Sequence, residues 1–230
     1  MEQRSSLWTT REHAMTDLNG AMAEEAAALG ELFSILDEVL EDLKKFFEDS
    51  ELGRVSALIG VKGRNLALAC YSLALDGLAQ ESGAILRLLL EVIELLAYLL
   101  LDPERVAEVI DDKLPGPGKR AKKVDGKFED LRRYLNRNAS HISLSYESMR
   151  HTVDLDAGRL RVVQPHRPSV LRINMGTLCM FTSVFVLQIS GCFEHLSATS
   201  GKARVTAESH LNKIRRASDR ARSLFFPEAS

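Results

Sequence analysis

The stretch from Ser82 to Leu101 reads SGAILRLLLEVIELLAYLLL, and only Arg87, Glu91 and Glu94 carry charge in it. Apolar residues fall on every face of the helix that such a sequence forms, so the helix is expected to be buried on nearly all sides. Arg87 and Glu91 are four apart, a spacing that stacks opposite charges on one face. Glu94 and Tyr98 continue the row. The reading that follows is the central helix of an all-α, up-and-down bundle of long helices, with a small polar cluster pointing inward. Arg87, Glu91, Glu94 and Tyr98 then form either a pocket that holds a ligand or an internal ion pair that fixes helix register. The second reading ranks first.

The flanks agree with a bundle. After Leu101, Asp102-Pro103 is a cap followed by a proline at the first helical position, opening a short helix to about Leu114. Pro115-Gly-Pro-Gly118 is the clearest break, and residues 115–123, with Lys119, Arg120, Lys122 and Lys123, are expected as an exposed basic loop. From Val124 to about Ser140 the chain reads as helix, with Phe128, Leu131 and Leu135 inward. The stretch HISLSYESMRH after it has no clear period.

Before the central stretch, a helix is expected from about Leu52 to Gln80, weakened at Gly60 and Gly63, with Ser82 capping the next one. A first helix, introduced by a Thr9–Glu12 capping box, carries Leu29, Leu32, Ile35, Leu36, Val39 and Leu43 at steps of three and four. Gly30 is the expected point of bending or division. Near the other end, VDLDAGRLRVV over 153–163 has the alternation and Asp-Ala-Gly turn of a small β-hairpin. A long uncharged helix from about Ser169 to Ala198 and a last helix from Lys202 to Phe225 complete the chain. There is no internal repeat, and 1–230 reads as one domain.

Composition is ordinary for a globular chain: 230 residues, 45% hydrophobic, 27% charged, formal net charge -2. Overall charge therefore drives the chain to neither nucleic acid nor membrane. The charge is unevenly spread: Glu12 to Glu51 holds twelve acids against Lys44 and Lys45, while Lys202 to Arg222 holds seven bases against Glu208 and Asp219. The expectation is that the acidic first helix and the basic last helix lie side by side.

Cys70, Cys179 and Cys192 are odd in number and each sits amid apolar residues, which points to reduced, buried thiols in a cytosol. The first residues carry no apolar signal core. Residues 173–193 are uncharged over 21 positions, long enough to span a bilayer, but interrupted by polar residues such as Asn174, Thr182 and Gln188. A buried bundle helix is expected there, and no membrane partner.

No phosphate-binding glycine loop, zinc spacing or serine elbow is present, and the six histidines form no close helical pair. No metal and no cofactor is expected. The one pattern with catalytic potential is Arg137-Asn-Ala-Ser-His141. On a continuous helix Arg137 and His141 share a face; an imidazole there serves as general base and a guanidinium stabilises a phosphorane-like anion. Lys119, Arg120, Lys122, Lys123 and Arg133 are the residues to hold an RNA backbone beside them. The structural alternative is a helix end at which Arg and His satisfy carbonyls.

AILRLLLEVIELLAYLLLDPE, followed at a distance by RNASHISLSYES, resembles a bacterial domain-of-unknown-function family of helical proteins, similar in outline to the HEPN group. The resemblance covers about Gly77 to Tyr146. It implies a helical fold, dimers, and in many members metal-independent ribonuclease activity in toxin and phage-defence systems. The HEPN motif is Arg, four to six residues, then His; here Arg137 and His141 have three between them, and Arg133 and His141 have seven. That departure ranks a non-catalytic, cytoplasmic bundle that works by self-association as a homodimer, or by partner binding, ahead of a HEPN-like ribonuclease or toxin.

Overall fold

The computed structural model describes residues 7–48, 50–126, 128–140, 145–161, 164–197 and 201–226. They form an all-α bundle with one small hairpin. The long helices are α1 (Leu7–Asn19), α2 (Ala23–Lys44), α3 (Glu51–Leu75), α4 (Ala79–Leu101), α9 (Pro168–Ser197) and α10 (Gly201–Phe225). Between α4 and α9 come a 3-10 turn Pro103–Arg105 and the short helices α5 (Val106–Ile110), α6 (Pro117–Lys123), α7 (Glu129–Leu135) and α8 (Tyr146–Thr152). A π-helical turn, Asn136–Ser140, continues α7, and strands β1 (Val153–Asp154) and β2 (Arg159–Leu160) pair antiparallel.

The hub of the bundle is α9, not α4. Helix α9 packs against α2, α3, α4 and α10, whereas α4 lies between α3 and α9 on one side and α6, α7 and the π-turn on the other. The apolar all-round sequence of α4 is explained by that second layer, which buries the face a simple bundle would leave wet. One continuous hydrophobic cluster runs from Ala14 of α1 to Ala221 of α10, with Tyr98, Phe185 and Phe193 fully buried in it. By length and composition Pro168–Leu196 is a candidate to cross a membrane, and half of its most apolar window is buried in the bundle.

Two glycines let α3 approach α9. A Cβ on Gly63 would overlap the Phe185 ring, and one on Gly60 would overlap Ile189 and Leu40. Positions that read as weak points of the helix are thus where a neighbour's side chain fills the missing volume, and α3 is unbroken across them.

Helices α2 and α10 do lie side by side, in antiparallel register. Glu31 pairs with Arg220 at 3.3 Å, Glu38 with Lys213, and Asp42 with His210 at 2.9 Å.

Several expected boundaries shift: the second long helix ends at Leu75, not Gln80, and the helix expected from Val124 begins at Glu129. The first helix divides at the turn Gly20–Met22, where Met22 N–H bonds Asp17 O, and Gly30 sits exposed inside α2. Helix α1 already runs from Leu7, so Thr9 is an internal residue and no cap. Ser82 is likewise internal: α4 starts at Ala79, after a turn in which Gly77 has φ +75°, and the Ser82 hydroxyl donates to Cys70 O at 3.0 Å. Finally, the expected loop over 115–123 contains α6, opened by Pro117 and burying Arg120 and Ala121. The expected caps at Asp102, over the 3-10 turn, and the hairpin near 153–163 form as read; Val162 and Val163 lie outside the described residues.

Candidate functional site

The polar row on α4 is largely buried, Glu94 at 2% exposure and Tyr98 at 0%. Arg87 Nη2 lies 2.8 Å from Glu91 Oε1, as the four-residue spacing predicts. The rest of the network comes from the second layer. Arg132 of α7 pairs with Glu94 and reaches to 3.9 Å from Glu91. Arg120 of α6 is buried nearby and donates to Pro115 O at 2.6 Å. Burial lowers the pKa of Arg120 and of Arg132 from the ordinary guanidinium range, and the Glu91 carboxylate opposes that shift at both. The Nε atoms of Arg87, Arg120 and Arg132 are buried without a hydrogen-bond partner. The arrangement is an ionic clasp that holds the short-helix layer on α4.

Tyr98 closes the clasp at its far end. Its hydroxyl donates to Glu108 at 2.8 Å, while Arg105 stands 4.5 Å and Lys123 5.3 Å from its ring centroid. Arg132 escapes a reading based on basic runs. Yet it sits four residues after Phe128 and three before Leu135, on the inward face, and that spacing was its legible signal.

The expected RNA-binding residues do not form one surface. Lys119 and Lys122 are exposed on α6, Lys123 stands over Tyr98, Arg120 is inside the clasp, and Arg133 pairs with Glu129 at 3.1 Å. Arg137 is exposed on the π-turn. His141 lies outside the described residues, so the Arg137–His141 pair is not described. The neighbouring polar groups knit the π-turn to α4 and α8: Gln80 donates to Asn138 O at 2.9 Å and to Ser148 Oγ at 2.8 Å.

That corner encloses a cleft of about 450 Å³, walled by the start of α4, the π-turn, α8 and the first turns of α9. Such a volume falls within the about 300–1,000 Å³ of small-molecule sites. Arg150 and His151 of α8, His166, Arg167 and Asn174 line it, with no carboxylate among the described lining residues. Its walls are pinned: Gln164 donates to His151 O at 2.6 Å, Thr10 to Gln164 O at 3.0 Å, and His166 Nε2 is 2.7 Å from Asp17. The Asn174 amide Nδ2 is buried with no hydrogen-bond partner. Sequence reasoning missed this cleft, because its residues come from four separate segments.

A second depression, of about 500 Å³, runs between α9 and α10 and is lined by Gly176, Met180, Val184, Leu187, Ile214 and Phe226 among others. Among the described residues no group of three or more His, Cys, Asp and Glu is placed to hold a metal. Glu194 and His195 are both exposed on α9. No family model, curated protein or solved structure matches this chain.

Proposed function

We propose that the protein works by self-association, as a cytosolic homodimer joined through the α9–α10 face. The observation that carries this reading is on α9: Met180 and Leu187, seven residues apart, are each 45% exposed and line an apolar groove against α10, and Ile173, 66% exposed, lies seven residues before Met180. Seven residues is the repeat of a helix–helix seam. A second copy is the occupant that fits, because the groove's rim is self-complementary. Arg215 and Asp219 stand four apart on α10 and both line the groove, so an isologous contact has a base and an acid on each copy to pair with the other's. The three free, buried cysteines support a cytosolic setting.

Light scattering on the intact chain at micromolar concentration tests it. Wild type is expected at twice 25.6 kDa, and Met180→Glu or Leu187→Glu at the monomer mass with unchanged helical circular dichroism. Arg215→Glu is expected to weaken the dimer, and Arg215→Glu with Asp219→Arg to restore it. A monomeric wild type overturns the reading.

A second reading is HEPN-like, metal-independent RNA cleavage by Arg137 with His141 as base. It is supported by the exposure of Arg137 on a π-turn, a local distortion that recurs at functional sites, and by the resemblance of the surrounding sequence. Incubation with labelled RNA in excess EDTA, beside His141→Ala, decides it: cleavage by wild type alone supports the site, and equal cleavage by both sinks it.

A further inference from the structure

We propose that the cleft between α8, the π-turn and the start of α9 binds a small phosphate monoester, a ligand with one phosphate group on a compact apolar body. This goes beyond self-association and does not depend on it.

The first argument is charge. Arg150, His151, His166 and Arg167 line one cleft from α8 and from the segment leading into α9, and no Asp or Glu is found among the described lining residues. Asp17 touches His166 at 2.7 Å and orients the ring. A site walled by low-dielectric protein and lined by basic side chains concentrates an anion. Guanidinium groups match phosphate oxygens in geometry as well as in charge.

The second argument is an unused donor. Asn174 Nδ2 is buried and has no partner, although a buried amide left unpaired costs about 1–3 kcal/mol. Val170, Asn174 and Thr177 follow at steps of four and three, so they share one face of α9, Arg167 stands just before that helix, and all four line the cleft. The residue that carries the orphan donor therefore lines the same wall as Arg167. The opening turn of the 30-residue helix α9 contributes Ser169 and Val170 to that wall, and its backbone dipole adds to the attraction for an anion.

The third argument is the apolar part of the lining. Leu86 of α4, Leu135 and Ala139 supply an apolar surface for the rest of the ligand. Gly83 makes that wall possible, since a Cβ there would come within 2.9 Å of Ala139 Cβ. A cleft lined by both basic and aliphatic side chains fits a phosphate ester better than a bare inorganic ion.

Isothermal titration of the full chain at low salt tests the proposal with four probes: inorganic phosphate, adenosine 5′-monophosphate, adenosine and acetate. Saturable binding is expected for phosphate and, more tightly, for the monophosphate, with none for adenosine or acetate. Arg167→Gln, a change at an exposed residue, is expected to weaken monophosphate binding about tenfold or more, and Arg167→Lys to keep part of it. Asn174→Leu is expected to weaken binding while leaving the melting temperature at or above wild type, because it removes an orphan donor; a purely structural Asn174 would give the reverse. The proposal is overturned by absence of saturable phosphate binding up to about 10 mM, a weaker affinity than any useful site. It is overturned equally by adenosine or acetate binding as tightly as the monophosphate, or by unchanged affinity in Arg167→Gln.

Discussion

Arg132 of α7 forms an ion pair with Glu94 of α4, at side-chain exposures of 13% and 3%. The pair fastens the short-helix layer to the bundle at a point where neither charge has ready access to water. Its stability follows the rule for buried pairs: together the charges are near neutral in net effect, and alone either is expensive. Glu94→Leu should therefore destabilise the fold by about 3–5 kcal/mol in urea unfolding. Glu94→Leu combined with Arg132→Met should recover most of that loss. Glu91→Leu should cost less, since Arg87 and Glu91 keep 30% and 18% of their side chains exposed. A neutral Glu94→Leu would show that the clasp is not buried in solution.

The glycines of α3 separate close packing from open surface. Gly63→Val drives a side chain into Phe185, and Gly60→Val one into Ile189 and Leu40; each should cost about 1–3 kcal/mol or more. Gly30→Ala in α2 is the contrast, because nothing lies within 4 Å of the added Cβ. It should stabilise by about 0.4–1 kcal/mol through the unfolded state. Thermal melts of the three variants check the order.

Asp42 gives the α2–α10 contact an acid-sensitive component. Burial raises its carboxyl pKa, but hydrogen bonds from Lys45 and His210 and their charges outweigh that, so the net shift is downward from 3.8. A carboxyl held lower in the folded state contributes stability that is complete above the unfolded value and is lost as pH falls through the folded one. The stability difference between wild type and Asp42→Asn should accordingly be constant near neutrality and shrink below about pH 4. Urea midpoints at pH 7 and pH 3 measure it; an equal difference at both would rule out Asp42 as the source.

Thiol reactivity should report global unfolding. Burial pushes Cys70 and Cys179 up to about 12 and Cys192 to about 11, so almost no thiolate is present near neutral pH. A thiol-specific colour reagent at pH 8 should find essentially no reactive cysteine in the native protein and all three in guanidinium. Rapid reaction of one cysteine in the native state would place that residue at the surface.

The periodicity of the sequence determined the helical class, the end of α4 at Leu101, the hairpin, the Arg87–Glu91 pair and the juxtaposition of acidic α2 with basic α10. These follow from contacts within a turn or two, or from charge summed along a whole helix, and both are written in residue order. Tertiary structure alone decided that α9 is the hub, that Arg132 and Arg120 complete the α4 cluster, and that Gly60 and Gly63 are contact points. It also brought Arg150, His151, His166, Arg167 and Asn174 to one cleft. The reason is physical: whether an apolar face is covered, or a charge paired, depends on which distant helix arrives at it, and many arrangements of the same amphipathic helices satisfy one hydrophobic pattern. Volume complementarity between side chains far apart in the chain, such as Phe185 against Gly63, selects among them.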